Sequence, residues 1–180
     1  MEYKKLIPYL RTHRKAHRVM GSFLSILLIL SAITGILLAF KKNSDTLQPP
    51  TQSGKTTNSE LFIPIDSLLS IARTESQSRF PDQTMQVDRL DIRPNKGIAK
   101  VLLKPGYYEF QIDLSTGEIY SIAKRHSDWI EKVHDGSIIS DTFKVVSMNI
   151  LGFGLLGLTV SGLFLWFGPK WIRKRKVDHQ

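Results

Sequence analysis

Histidine is the residue type in this sequence best suited to chemistry. There are five, His13, His17, His126, His134 and His179, and there is no cysteine. The lack of cysteine excludes disulfides, thiolate-bound zinc, iron–sulfur clusters and a thiol nucleophile. The chain also holds no H-E-x-x-H pair and no P-loop. Neutral imidazole is a good axial ligand for haem iron, so b-type haem is the cofactor this inventory could serve. His13 and His17 are four residues apart and share one face of a helix. His134 stands far along the chain, and His179 lies in the tail. Asp113 and Glu118 bracket a turn and read as a solvated hairpin. Tyr107, Tyr108, Phe110 and Tyr120 alternate and read as strand packing.

The elements that must carry these histidines are legible from charge and hydropathy. Residues 19–40 (VMGSFLSILLILSAITGILLAF) and 145–169 (VVSMNILGFGLLGLTVSGLFLWFGP) contain no ionisable side chain. About 20 apolar residues at a rise of ~1.5 Å cross a hydrocarbon core of ~30 Å, so both runs read as transmembrane helices. The first run is too long for a signal h-region. It ends in Leu38-Ala39-Phe40-Lys41-Lys42 without a small-residue cleavage site, so an uncleaved anchor is expected. The chain has a net charge of +9, yet residues 41–144 carry 14 basic and 14 acidic side chains. All the excess therefore sits in residues 1–18 and 170–180. Basic flanks stay in the cytoplasm, which predicts cytoplasmic termini and an external 41–144. The charge is a topology signal with an affinity for anionic lipid headgroups, and nucleic acid is not an expected partner.

Between the helices, residues 41–60 are rich in Ser, Thr, Gln, Asn and Pro, the composition of a flexible linker. Order is expected from Phe62. Ile65, Leu68, Leu69 and Ala72 fall at i, i+3, i+4 and i+7, one face of an amphipathic helix that should fade near Ser76. Four short alternating runs follow. The first holds Val87, Leu90 and Ile92 and ends at Pro94-Asn95-Lys96-Gly97. The others are 98–104 (IAKVLLK), 107–114 (YYEFQIDL) and 118–123 (EIYSIA), separated by Pro105-Gly106 and Ser115-Thr116-Gly117 turns. The expected fold class is α+β, with two transmembrane helices flanking a small extracytoplasmic domain in which one helix lies on an antiparallel sheet of about four strands. The expected layout is a basic N-terminus (1–18), a membrane helix (19–40), the linker (41–60), the domain (61–125), a connecting helical segment (126–144), a second membrane helix (145–169) and a basic tail (170–180).

One helix followed by short strands, with a last hairpin Phe110-Gln111-Ile112-Asp113-Leu114-Ser115-Thr116-Gly117-Glu118-Ile119, resembles a PepSY domain. Arg14-Lys15-Ala16-His17-Arg18-Val19-Met20-Gly21, with Thr34-Gly35 further on, resembles the first helix of the PepSY-associated transmembrane family. Trp129-Ile130-Glu131-Lys132-Val133-His134-Asp135-Gly136, with Ser161-Gly162 beyond it, resembles the segment leading into that family's next helix. The likeness implies a bacterial inner-membrane protein with a periplasmic domain. Longer members resemble haem-containing reductases of ferric siderophores. The likeness therefore implies haem iron as the metal, electron transfer in iron uptake as the role, and His17 and His134 as the ligands, with His13 behind them. It equally allows a non-catalytic anchored module that binds a periplasmic protein, since PepSY-like domains resemble inhibitory propeptide segments.

Two further features bear on the choice. Ile33-Thr34-Gly35-Ile36 aligns with Val160-Ser161-Gly162-Leu163, an echo between helices expected to cross in opposite directions. Small residues at Ser31, Gly35 and Ala39, and at Gly157 and Ser161, suit close helix packing within the chain or in a dimer. His17 and His134 are expected at opposite membrane faces, roughly 30 Å apart or more, too far to share one iron. His13 and His17 share a face and cannot sandwich one. A haem iron held on both sides then requires a homo-oligomer, another membrane subunit or a second ligand of another type. Against this stands a plainer reading, in which the imidazoles are interfacial side chains among headgroups, with Trp129 as an aromatic anchor.

Overall fold

A computed structural model of the chain describes residues 3–177, and the side chains of residues 8–170. Lys4, Lys5, Arg173, Lys174, Arg175, Lys176 and His179, all used above in the charge or histidine reading, lie outside the described side chains. The element order is α1 (Tyr3–Ala39), α2 (Ile65–Arg79), β1 (Gln86–Arg93), β2 (Ile98–Lys104), β3 (Tyr108–Asp113), β4 (Ile119–Lys124), α3 (His126–Asp135) and α4 (Asp141–Val177). The chain divides into two compact units, one of residues 3–35 with 132–177 and one of residues 36–131.

In the second unit the alternating runs pair as an antiparallel sheet in the order β1-β2-β3-β4. Pro64 stands at the N-cap of α2 and Asp66 occupies its first turn, where a carboxylate meets the positive end of the helix dipole. The Leu68–Ala72 face of α2 closes over Ala99, Val101, Leu103, Phe110 and Ile112 to form the core. Strand side chains alternate between faces, so Lys100, Glu109, Gln111 and Asp113 project from the other side of the sheet. They are nevertheless buried. Lys100 Nζ donates to Glu109 Oε1 at 2.9 Å, and Arg125 reaches Glu109 Oε2 at 3.0 Å.

The stretch whose composition resembles a tether crosses that polar face at Gln111 and Asp113. Its backbone is pinned at five points. The Leu47 carbonyl accepts from Ser127 N–H at 2.8 Å. The Pro50 carbonyl accepts from the Gln111 amide at 2.9 Å, and Gln52 N–H donates to Gln111 Oε1 at 2.8 Å. Gly54 N–H donates to the Lys96 carbonyl at 2.7 Å, and Lys55 N–H donates to Asp113 Oδ2 at 2.6 Å. Gly54 passes so close to the Gly97 carbonyl that no side chain fits there. Asp113, rather than sitting in a solvated hairpin, is fully buried. Its Oδ1 accepts from Ser115 N–H, Ser115 Oγ and Thr116 N–H, and its Oδ2 accepts also from Tyr120 OH. Burial alone would raise its pKa. The bonds from the Ser115 hydroxyl and the Lys55, Thr116 and Ser115 amides outweigh it and hold the carboxyl well below the usual range.

In the helical unit α1 and α4 run antiparallel. Down the seam Leu10 meets Gly168, His17 meets Gly162, Met20 meets Gly157, Leu158 meets Gly21 and Leu24 meets Gly154. Glycines let the backbones approach where lipid supplies no hydrophobic drive for pairing. The small-residue positions read from sequence are thus in use within the chain at Gly157 and Gly35.

Candidate functional site

Seam positions recur along α1 every three or four residues, and the sequence puts His13 and His17 on that inner side. His13 packs its ring against Phe164, with centroids 4.9 Å apart. His17 Nδ1 lies 2.7 Å from Ser161 Oγ. At the opposite end of the pair, His134 Nδ1 lies 2.8 Å from Thr34 Oγ1. The ring carbon Cε1 of each of these two histidines faces the following glycine. A methyl group built on Gly35 would be 3.5 Å from His134 Cε1, and one on Gly162 would be 3.4 Å from His17 Cε1. The two hydroxyl–glycine pairs of the internal echo are therefore the two receptors. Thr34-Gly35 receives the imidazole of the α3 end, and Ser161-Gly162 receives the imidazole of α1.

The α3–α4 turn sets the position of His134. Gly136 takes φ +81°, a left-handed conformation that only glycine adopts readily, and so ends α3. A side chain there would crowd Ser147 and Phe143. Asp135 accepts from Ser137 N–H at 2.9 Å and pairs with Lys144 at 2.6 Å. Its partial burial opposes ionisation, but Lys144 and Ser137 prevail and lower its pKa to about 2. This carboxylate clip holds the loop against the start of α4. A small cavity of about 40 Å³ beside His134 is lined by Leu27, Ser31, Phe143, Ser147 and Met148, among others.

From His17 to Thr34 is 17 residues of α1, or about 25 Å of helix. The two imidazoles consequently cannot reach one iron. His17 and His13 are neighbours along one seam, but their rings engage different partners. His126 opens α3 in the other unit, and His179 lies outside the described residues. Among the described residues no three His, Asp or Glu side chains converge on a metal-ion position. Haem iron, already held by four pyrrole nitrogens, asks the protein for only one or two axial ligands, so it is judged on single imidazoles. By donor chemistry His17 and His134 would each offer one nitrogen to such an iron, and among the described residues the histidines do not pair on one iron. Sequence reasoning missed Thr34 and Ser161 as the partners of these rings. The signal was present, as a hydroxyl–glycine pair repeated at matching places in both apolar runs.

Two helices long and apolar enough to span a bilayer, joined in sequence to a four-stranded α+β unit, define a membrane-embedded protein. The model of the PepSY-associated TM region matches residues 14–179, and the chain belongs to that family. A comparison with curated proteins gave no match.

Proposed function

We propose that this protein is a haem-binding electron-transfer component of the bacterial inner membrane, serving iron uptake through reduction of ferric siderophores. The observation that carries the reading is the pair of imidazoles at opposite ends of the helix seam. Each is engaged through Nδ1 by a hydroxyl of the facing helix, which leaves Nε2 for a ligand. Metal-bound histidines are commonly braced in this way through their second nitrogen. Haem would supply a one-electron iron centre, and His17 and His134 would each hold one through Nε2. Any further ligand would come from another copy of the chain, another membrane subunit or a group of another type. The cavity beside His134 is about 40 Å³, far below the ~300–1,000 Å³ of an enclosed ligand site, so the rest of the binding surface also belongs to a neighbouring chain. The charge distribution supports cytoplasmic termini with 41–144 in the periplasm, which sets one imidazole at each membrane face.

The test is a visible absorption spectrum of the full chain purified in detergent from haem-supplied cells. A Soret band is expected, reduced in His17→Ala and in His134→Ala. A colourless wild-type preparation refutes the proposal.

One observation favours a second reading, an anchored module that binds a periplasmic protein. β4 is an edge strand with no proline and one charged residue, Lys124 at its end, whereas the other edge, β1, carries Asp88, Arg89, Asp91 and Arg93. Edge strands with few such guards can accept an added strand. Retention of a specific periplasmic protein by the tagged full chain, lost when Ser121→Pro is introduced, supports this reading; retention unchanged by that substitution counts against it.

A further inference from the structure

The hydroxyls facing His17 and His134 each also have a backbone carbonyl of their own helix within donating reach. Thr34 Oγ1 donates to the Leu30 carbonyl one turn back at 2.7 Å, with the Ser31 carbonyl at 3.2 Å. Ser161 Oγ donates to the Leu158 carbonyl at 3.1 Å. A hydroxyl has one proton and two lone pairs. With the proton turned onto the helix backbone, each Oγ meets the imidazole as an acceptor. The ring nitrogen opposite must then be the donor, which puts the proton of the neutral ring on Nδ1 and the lone pair on Nε2.

We propose that Thr34 and Ser161 are positioning residues that lock His134 and His17 in the Nδ1–H tautomer, so that each ring offers an Nε2 lone pair to a metal-centred ligand. The glycine beside each hydroxyl lets the ring edge lie flat on the helix, so orientation and tautomer are fixed together. The same device occurs at both ends of the seam, built from the two halves of the internal echo. The proposed tautomer rests on the second, backbone contact that each hydroxyl makes; only the use of the lone pair rests on the haem reading. Thr34 is itself buried at 6% exposure, so removing its oxygen strands the ring donor in a place with little water to replace it.

The experiment is nitrogen NMR of the full chain without haem, in lipid nanodiscs at a pH where imidazole is neutral, with ring-labelled histidine and resonances assigned by His17→Ala and His134→Ala. Wild type is expected to show His17 and His134 with a protonated Nδ1. Thr34→Val should release His134 alone towards the Nε2–H form, and Thr34→Ser should restore the wild-type pattern. Ser161→Ala and Ser161→Thr should do the same for His17. Nε2–H rings in wild type, or Nδ1–H rings that persist without the hydroxyl, overturn the proposal. Haem titration adds an independent arm, in which Thr34→Val weakens binding roughly 10–100-fold, the usual effect of losing such a brace. A protein with the expected tautomers that takes up no haem overturns the haem reading and leaves the positioning role standing. A haem-binding protein with Nε2–H rings does the reverse.

Discussion

Replacing Asp113 with asparagine keeps the shape of a side chain that ties the 47–55 strap, the β3–β4 turn and Tyr120 together, but removes its charge. The carboxylate accepts five hydrogen bonds, three on Oδ1 and two on Oδ2. An amide offers one acceptor oxygen. Whichever way it is turned, its NH₂ faces at least one backbone N–H, either Lys55 or the Ser115–Thr116 pair, and that donor is left buried without a partner. A stranded donor costs ~1–3 kcal/mol, and the surviving bonds lose their charge assistance. The sum is about 3 kcal/mol. For a unit of this size ~4 °C per kcal/mol is typical, so the unfolding midpoint should fall by about 12 °C. The assay is thermal unfolding of wild type and Asp113→Asn, followed by near-ultraviolet circular dichroism between pH 2 and pH 7. The folded pKa of Asp113 is depressed. Its contribution is therefore complete above the unfolded value of ~3.9 and disappears as pH falls through the folded value. The gap between the two proteins should be widest near neutrality and narrow below about pH 4. A midpoint unchanged at pH 7, or a gap that grows in acid, would falsify the reasoning.

Other expectations concern the same unit. Glu109→Gln leaves Lys100 a buried cation without its acid, while Arg125 keeps Asp128, so destabilisation of roughly 3 kcal/mol is predicted from denaturant titration. Gly54→Ala drives a methyl group into the Gly97 carbonyl. It should lift the strap, and hydrogen exchange at Gln52, Gly54 and Lys55 should accelerate by ~10–100-fold, equivalent to ~1.4–2.8 kcal/mol. A soluble piece covering residues 44–131 should melt cooperatively. A piece covering 60–125, which lacks the strap and the Asp128 carboxylate that pairs with Arg89 and Arg125, should not.

Local signals account for most of what could be read in advance. The α2 face around Leu68 and Ala72, the Pro94–Gly97 stop and the Pro105-Gly106 turn are written in neighbouring residues, and the strands appear where alternation puts them. The strap was hidden because Ser, Thr, Gln and Pro describe a tether and a hydrogen-bonded ribbon equally well. Its order comes from Gln111 and Asp113, more than fifty residues away. The burial of Lys100 and Glu109 was hidden for the same reason, since alternation reports which side of a sheet a residue occupies and not what covers that side. At the histidines, the i, i+4 spacing of His13 and His17 was visible, and so was the Thr34-Gly35 and Ser161-Gly162 echo. That each hydroxyl receives the imidazole from the other arm depends on the antiparallel register of α1 and α4, which an apolar run with no charged marker does not reveal.

The most direct measurement is electron paramagnetic resonance of the oxidised, detergent-purified full chain. A low-spin ferric haem signal with imidazole ligation is expected, diminished in each of His17→Ala and His134→Ala and absent when both are combined. A preparation without any ferric haem signal, or one whose signal survives the double substitution, contradicts the haem reading.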